Sequence, residues 1–367
     1  MAASAFDPAF PRGLSGVRAG DRSHLGRQAV MILALLLVLA MLVSLSTGAS
    51  GTDLSALFHV LGGEPDPQDA TALRDHVVMM NIRLPRMILG MLVGAGLAVS
   101  GLVMQGLFRN PLADPGLVGV SSGAGLGAVG VIVLGTTALA PLTGPLGIYS
   151  LQIAAFLGGL ATTTILYRVA TRSGQTAVAT MLLAGIAIGA LAGAATGVLV
   201  YVATDSQLRD LTFWNLGSLA GANWTKVMAS GPIIALALGA TLFLRNGLNA
   251  LTLGEATAAH MGVPVERLKR VAIIAVAAAT GAAVAVSGGI GFVGIVVPHL
   301  LRLVIGPDHR YLLPASALLG ASFLLLADAV SRTIVAPAEL PIGIVTAAVG
   351  GPFFLWILLR RRSAIAW

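Results

Sequence analysis

A chain of 367 residues that is 56% hydrophobic and only 10% charged cannot clothe a water-facing surface, since soluble domains carry about 25% charged residues. Its solvent is lipid, and the absence of cysteine excludes disulfides and thiolate metal sites. The formal charge of +7 matters through its placement rather than its size.

In chain order, residues 1–27 hold Arg12, Arg18, Arg22 and Arg27 among Pro, Gly and Ser. They read as a disordered cytoplasmic tail. Residues 28–362 read as a single transmembrane domain and 363–367 as a cytoplasmic end. A bilayer core of roughly 30 Å asks for about 20 apolar residues per helical span. Hydropathy places spans near 29–48, 85–107, 116–138, 147–168, 176–203, 225–244, 270–288, 291–305, 311–330 and 341–359. The uncharged stretch between Asp114 and Arg168 is too long for one span, and PLTGPLG at 141–147 breaks it. SGGIG at 287–291 divides the next such stretch. The expectation is an all-α polytopic membrane protein of about ten transmembrane helices.

An inside N-terminus then puts the C-terminus inside as well. Inside fall Arg12, Arg18, Arg22, Arg27, Arg109, Arg168, Arg172, Arg245, Arg267, Lys269, Arg270, Arg302, Arg310 and Arg360 to Arg362; outside fall Arg74, Arg83, Arg86, Arg209, Lys226 and Arg332. That split of 16 to 6 follows the positive-inside rule.

The stretch RLPRMILGMLVGAGLAVSG at 83–101 has an echo in RLKRVAIIAVAAATGAAVAVSG at 267–288. Both open R-L-x-R and close GAxxAVSG. The copies lie five spans apart, so they point opposite ways. Spans 2–5 and 7–10 are expected to form an inverted repeat, a common transporter plan.

No acidic residue or lysine falls near the middle of a span, where ion-driven pumps keep ionisable groups. The two lysines, Lys226 and Lys269, lack the neighbours of a phosphate-cradling G-x-x-x-x-G-K-[ST] loop. Energy from nucleotide must come from another chain. After span 6, Thr252 and Glu255 have the spacing of a capping box that starts a short helix, which Gly262 ends and Pro264 stops. Gly185, Gly189, Gly193 and Gly197 recur every four residues and make a slowly winding stripe along span 5. Small-xxx-small spacing permits close helix packing, and the same face could border a substrate route. Gly119, Gly123 and Gly127 repeat the device more weakly.

Together RLPR, SGLVMQGLFRNPLADPGLVGVSSGAG (100–125), LTLGEATAAHMG (251–262), GFVGIVVPHLLR (291–302) and LLLADAVSRTIVAPAELPIGIVTAAVGGPFF (324–354) resemble the permease subunits of ABC importers for iron-siderophores, haem and cobalamin, the FecCD-type family. The resemblance implies a transport subunit that is not itself an enzyme, in a bacterial inner membrane. It also implies a second copy of the permease, two cytoplasmic ATPase subunits that bind ATP, and a periplasmic substrate-binding protein. No cofactor is permanently bound and no nucleic acid is involved. By the same resemblance, Arg83, Arg86 and Arg332 would face acidic residues of the binding protein as a docking collar. Asn110 and Leu112, with Gln175 and Thr176 before span 5, would form gates. Span 5 with its glycines and LRDLTFWNLGSL (208–219) would line the route. Leu253, Gly254, Glu255, Ala258, His260, Met261 and Gly262 would couple to the ATPase.

Haem is the preferred cargo, with ferric siderophores and cobalamin as alternatives. Its apolar face and two carboxylates suit an apolar route with basic residues at the mouth. His59, His76 and His299 read as surface or packing residues, with transient ligation of the iron as the alternative, because tight ligation would stall transit. An ion-coupled secondary transporter is the rival class.

Overall fold

The apolar runs fold as helices, the form that satisfies every backbone group inside lipid without a sheet edge. The computed structural model describes residues 22–48, 69–172 and 175–362. Most of the expected tail, His59 and the end at 363–367 lie outside the described residues. The main helices are α1 (Ser23–Ser46), α2 (Ala70–Val77), α3 (Leu84–Phe108), α4 (Val120–Leu134), α5 (Ala140–Leu146), α6 (Ser150–Ala170) and α7 (Val178–Val202). They continue with α8 (Asp205–Leu216), α9 (Trp224–Leu242), α10 (Arg245–Leu251), α11 (Glu255–His260), α12 (Val265–Ser287), α13 (Val293–Ile305), α14 (His309–Thr333) and α15 (Ile342–Arg362). Each expected span coincides with one of α1, α3, α4, α6, α7, α9, α12, α13, α14 and α15. Between α6 and α7, Thr171–Arg172 and Gln175–Thr176 pair as a minute antiparallel ladder within the expected all-α fold.

Two helices sit at the centre. The apolar windows of the α2–α3 run and of α12 are 83% and 78% buried, against 17% for α1 and 11% for α7. The centre is made of small residues. A Cβ on Gly94 would overlap the carbonyl of Gly320 in α14, and one on Gly101 would overlap that of Gly294 in α13. These backbones touch as closely as helices in lipid can.

Packing follows the repeat. α3 lies on α14 as α12 lies on α6; α3 lies on α13 as α12 lies on α4. The pairs α4–α6, α4–α7 and α6–α7 recur as α13–α14, α13–α15 and α14–α15. Gly94 of the first R-L-x-R copy meets α14, and its counterpart Gly281 meets Phe156 of α6. The likeness extends beyond the matched stretch: GLVGV at 116–120 and GFVGI at 291–295 each lead into a short helix. α13 has 13 residues, about 20 Å of rise, less than the bilayer core. The chain makes up the difference with non-helical residues 288–292, which begin at Gly288 (φ +71°) and include Phe292 at φ +68°.

Two features of these helices differ from expectation. The second span does not begin at the lip of RLPR. Asp69 caps α2 by accepting from the Thr71 and Ala72 amides, and helix then runs from 70 to 108 through a π-helical stretch, Val78–Arg83. Pro85, without an N–H to give, explains the wider turn ahead of it, and Trp224 Nε1 donates to the Met80 carbonyl at 2.8 Å. The Thr252–Glu255 capping box does not form. Gly254, at φ +106°, is the N-cap of α11 without a side-chain bond, while Thr252 Oγ1 donates to Asn249 O at 2.6 Å. Glu255 instead accepts from Lys269 Nζ at 2.8 Å. The end of that helix is as expected: Gly262 adopts φ +82°, and the Val263 amide bonds back to Ala258 O at 3.0 Å.

Gly101→Val should cost ~3 kcal/mol or more, because backbone across the contact cannot move aside. Gly193→Ala, with nothing among the described residues within 4 Å of an added Cβ, should not destabilise the subunit. Thermal unfolding of the detergent-solubilised protein separates the two; equal melting temperatures would contradict the packing described.

Candidate functional site: a cleft between two charged clasps

The R-L-P-R arginines lie at one end of the bundle, with the end of α14 and the loop before α15. Arg86 binds Asp328 through Nη2 at 2.8 Å and Nε at 3.1 Å. Its other edge donates to both oxygens of Glu339 at 2.9 Å. Arg332 binds Asp328 at 3.0 Å and donates to the Thr47 and Ser44 carbonyls at 2.8 and 3.1 Å. Arg83 donates to the Leu45 carbonyl. Arg83, Arg86 and Arg332 are 4%, 7% and 7% exposed and Asp328 is 1% exposed. Within this chain these guanidiniums turn inward. Two carboxylates and exposed helix-end carbonyls neutralise and satisfy them, which is what burial of charge demands. Together they clasp the ends of α1, α3 and α14. The acids that hold them, Asp328 and Glu339, were visible in the sequence as outer-end charges, but pairs 242 and 253 residues apart carry no local signal.

The opposite end has a second clasp. Lys269, 1% exposed, reaches Glu255 of α11 at 2.8 Å and Glu266 at 3.0 Å. This fastens the short α11 to the base of central α12. Ala258 faces inward at 0% exposure, while Leu253 and Met261 are 63% and 62% exposed. His260 and Gly262 are exposed as well. The expected coupling residues thus form a rigid tip that presents apolar side chains.

Between the two ends lies a cleft of about 330 Å³. Ser121 and Ser122 of α4, Gly189 and Gly193 of α7, and Trp214 and Asn215 of α8 line it. Among the described residues, nothing lies within 4 Å of a Cβ added to Gly193 or Gly197, and one added to Gly189 meets Ser122 Oγ at 3.5 Å. The stripe on α7 is therefore not a tight seam inside this chain beyond its buried first member, Gly185. It borders open space, on a helix whose Leu183, Leu191 and Tyr201 are 70%, 72% and 90% exposed. α8 forms one wall. Its start is fixed by a capping box between Thr204 and Gln207, a T-D-S-Q signal that sequence reading passed over.

Asn110 and Leu112 are not among the described residues that line the cleft. Asn110 and Leu112 occupy the loop between α3 and the 3-10 turn Pro115–Val118. There Asn110 Oδ1 accepts from the Leu112 amide at 3.0 Å, an Asx turn. That 3-10 turn leads directly into the α4 start that lines the cleft. Asp114 accepts from the Gly116 amide at 2.8 Å; burial pushes its carboxyl above the usual range, and the Gly116 bond pulls against that shift. Gln175 and Thr176 pair with Arg172 and Thr171 in the connection between α6 and α7. His299 packs edge-on against Phe353, ring centroids 6.1 Å apart, as a packing histidine does.

A family model described as the FecCD transport family matches residues 36–360. Among curated proteins, the chain is 47% identical over 335 residues to the hemin transport system permease protein HmuU of Yersinia pestis, covering 91% of this chain and 96% of that one. It is 45% identical over 286 residues to the cobalamin import system permease protein BtuC of Halobacterium salinarum, covering 78% and 74%. Among solved structures, a metal-chelate-type ABC transporter in an inward-facing conformation superposes with a TM-score of 0.78 at 33% identity, covering 91% of this chain and 99% of the other.

Asp328→Asn tests the clasp. It leaves Arg86 and Arg332 buried beside a neutral group and should cost roughly 3–5 kcal/mol. A melting temperature equal to that of the parent would mean that the guanidiniums are solvated instead.

Proposed function

The chain belongs to the FecCD transport family of ABC importer permeases, and from that premise we propose that its cargo is haem. The observation that carries the cargo reading is the 47% identity to a hemin permease across nearly its full length. A cleft walled mostly by small and apolar residues with Trp214 on one side supports it, because it offers a flat apolar ring system one aromatic face and, among the described residues, no charged group. The 45% identity to a cobalamin permease makes cobalamin the second reading.

The assembly we propose has two copies of this chain, with the open side of the α7 glycine face of each copy closed by the other. Gly185, Gly189, Gly193 and Gly197 then border a shared route. The end carrying Arg83 faces the periplasm, and both termini, including residues 1–27 and 363–367, are cytoplasmic; the asymmetry of basic residues supports this. A binding protein docks on the outer face that the Arg83, Arg86 and Arg332 clasp holds in shape. Two ATPase subunits take the tip formed by Leu253, Gly254, Glu255, Ala258, His260, Met261 and Gly262. Closure of the ATPases on ATP moves α11, and Lys269 passes that movement to α12. The loop with Asn110 and Leu112 and the connection with Gln175 and Thr176 gate the inner end.

Reconstitution with the partner ATPase and binding protein tests the cargo. Hemin should accumulate in proteoliposomes only with ATP, and cyanocobalamin should not. Uptake of cyanocobalamin alone would replace the haem reading, and uptake driven only by an ion gradient would overturn the importer mechanism. Lys269→Met should lower uptake by about tenfold, the effect of losing a charge-assisted bond, while ATP hydrolysis persists. Loss of both in proportion would point to misassembly rather than to lost transmission.

A further inference from the structure

A second cleft, of about 260 Å³, lies on the other flank of Trp214. Trp214 lines both clefts, so the two meet at one aromatic residue. The second is walled by Gln152 of α6, Phe213 and Trp214 of α8, Ser218 and Gly221 of the following turn, and Lys226 of α9.

Three observations show that it is more than a packing gap. Among the described residues the side chain of Lys226 has no hydrogen-bond partner, while its backbone amide donates to Asn223 Oδ1 and its carbonyl accepts from Ser230 Oγ. No carboxylate among the described residues pairs with its ammonium, whereas Arg86, Arg332 and Lys269 all have such partners. The side chain does not extend freely, either. A Cβ added to Gly221 would lie 3.0 Å from Nζ, so the ammonium rests over the 218–221 turn. Finally, two lining residues keep buried polar atoms without partners, Trp214 Nε1 and Gln152 Oε1. Unmet buried donors and acceptors are rare and call for a ligand or a water. An aromatic wall, one cation and a few neutral polar groups make the composition of a small-molecule site.

We propose that this cleft is an entry subsite for a carboxylate of the cargo, with Lys226 as its counter-ion and Phe213 and Trp214 as the wall for the cargo's flat apolar body. The proposal rests on the importer reading and narrows its substrate class to amphipathic aromatic carboxylates. The space is below the ~300–1,000 Å³ of sites that enclose a whole drug-sized ligand. It therefore takes one carboxylate-bearing edge, and the rest of the molecule lies toward the first cleft.

The test is titration of the complete permease–ATPase complex, in phosphatidylcholine nanodiscs, with hemin and with hemin dimethyl ester, read by tryptophan quenching. Hemin should bind more tightly than its ester. Lys226→Met should weaken hemin by about tenfold, as loss of a charge-assisted bond does, and leave the ester unchanged; Lys226→Arg should restore most of the affinity. Gly221→Ala, which crowds the ammonium but keeps its charge, should weaken hemin alone and serves if Lys226→Met fails to fold. Equal hemin affinity in parent and variants would overturn the subsite. So would an equal loss for both ligands, which marks a purely structural lysine. Erasure of the Lys226 effect by phosphatidylglycerol would assign the cation to a lipid headgroup instead. Loss of binding-protein affinity with hemin affinity intact would assign it to docking. Absence of ATP-driven hemin uptake by the parent protein would sink the haem reading, and the acid-versus-ester difference would still decide the subsite.

Discussion

Backbone amides and carbonyls that leave a helix inside lipid must find partners within the protein, and the irregular parts of this fold are organised by that need. Helix α12 stops at Ser287, and the chain continues without helix to 292. The freed groups are taken up by neighbouring breaks. The Ser218 amide donates to Ser287 O at 2.8 Å, the Gly289 amide to Trp214 O at 3.2 Å, and the Ile342 amide to Gly217 O at 3.1 Å. Deeper in the bundle, Gln105 Nε2 donates to Gly294 O at 3.1 Å, and Arg302 steadies the Gln105 oxygen at 3.0 Å. Glycine recurs at these crossings because backbone must come within bonding distance of backbone. Gly343 is an example: a Cβ there would overlap Leu216 O.

The same constraint explains the two charged clasps. An arginine or lysine at the margin of a greasy bundle either reaches water or is fully paired. In the first R-L-x-R copy Arg86 is paired, and in the second Lys269 is, each by two carboxylates. The two copies therefore do related mechanical work at opposite ends, tying the start of a central helix to its surroundings. They use different positions of the motif, since Pro85 stands where Lys269 does.

Much of the fold could be read from residues alone because its signals are local. Spans are long apolar runs, their breaks are PLTGPLG and SGGIG, and the repeat is a shared GAxxAVSG. What escaped reading depends on distant partners or on short caps. The inward pairing of R-L-P-R was not legible because its acids lie in another quarter of the chain. Thr252 and Glu255 have the spacing of a capping box, but a buried lysine fourteen residues on competes for the glutamate and Gly254 takes the cap. The glycine stripe on α7 was legible as a feature. Its environment was not, since spacing reveals a smooth face without saying what stands opposite. Helix α2 was missed because its mean composition is polar, although Asp69 announces it.

The bonds among Gly217, Ser287, Gly289 and Ile342 tie three interruptions into one hinge. Helix α8 cannot swing away from the first cleft without dragging the unwound end of α12 and the first residue of α15. An opening there is thus geared to the far half of the repeat, so that the mouth widens as a unit or not at all.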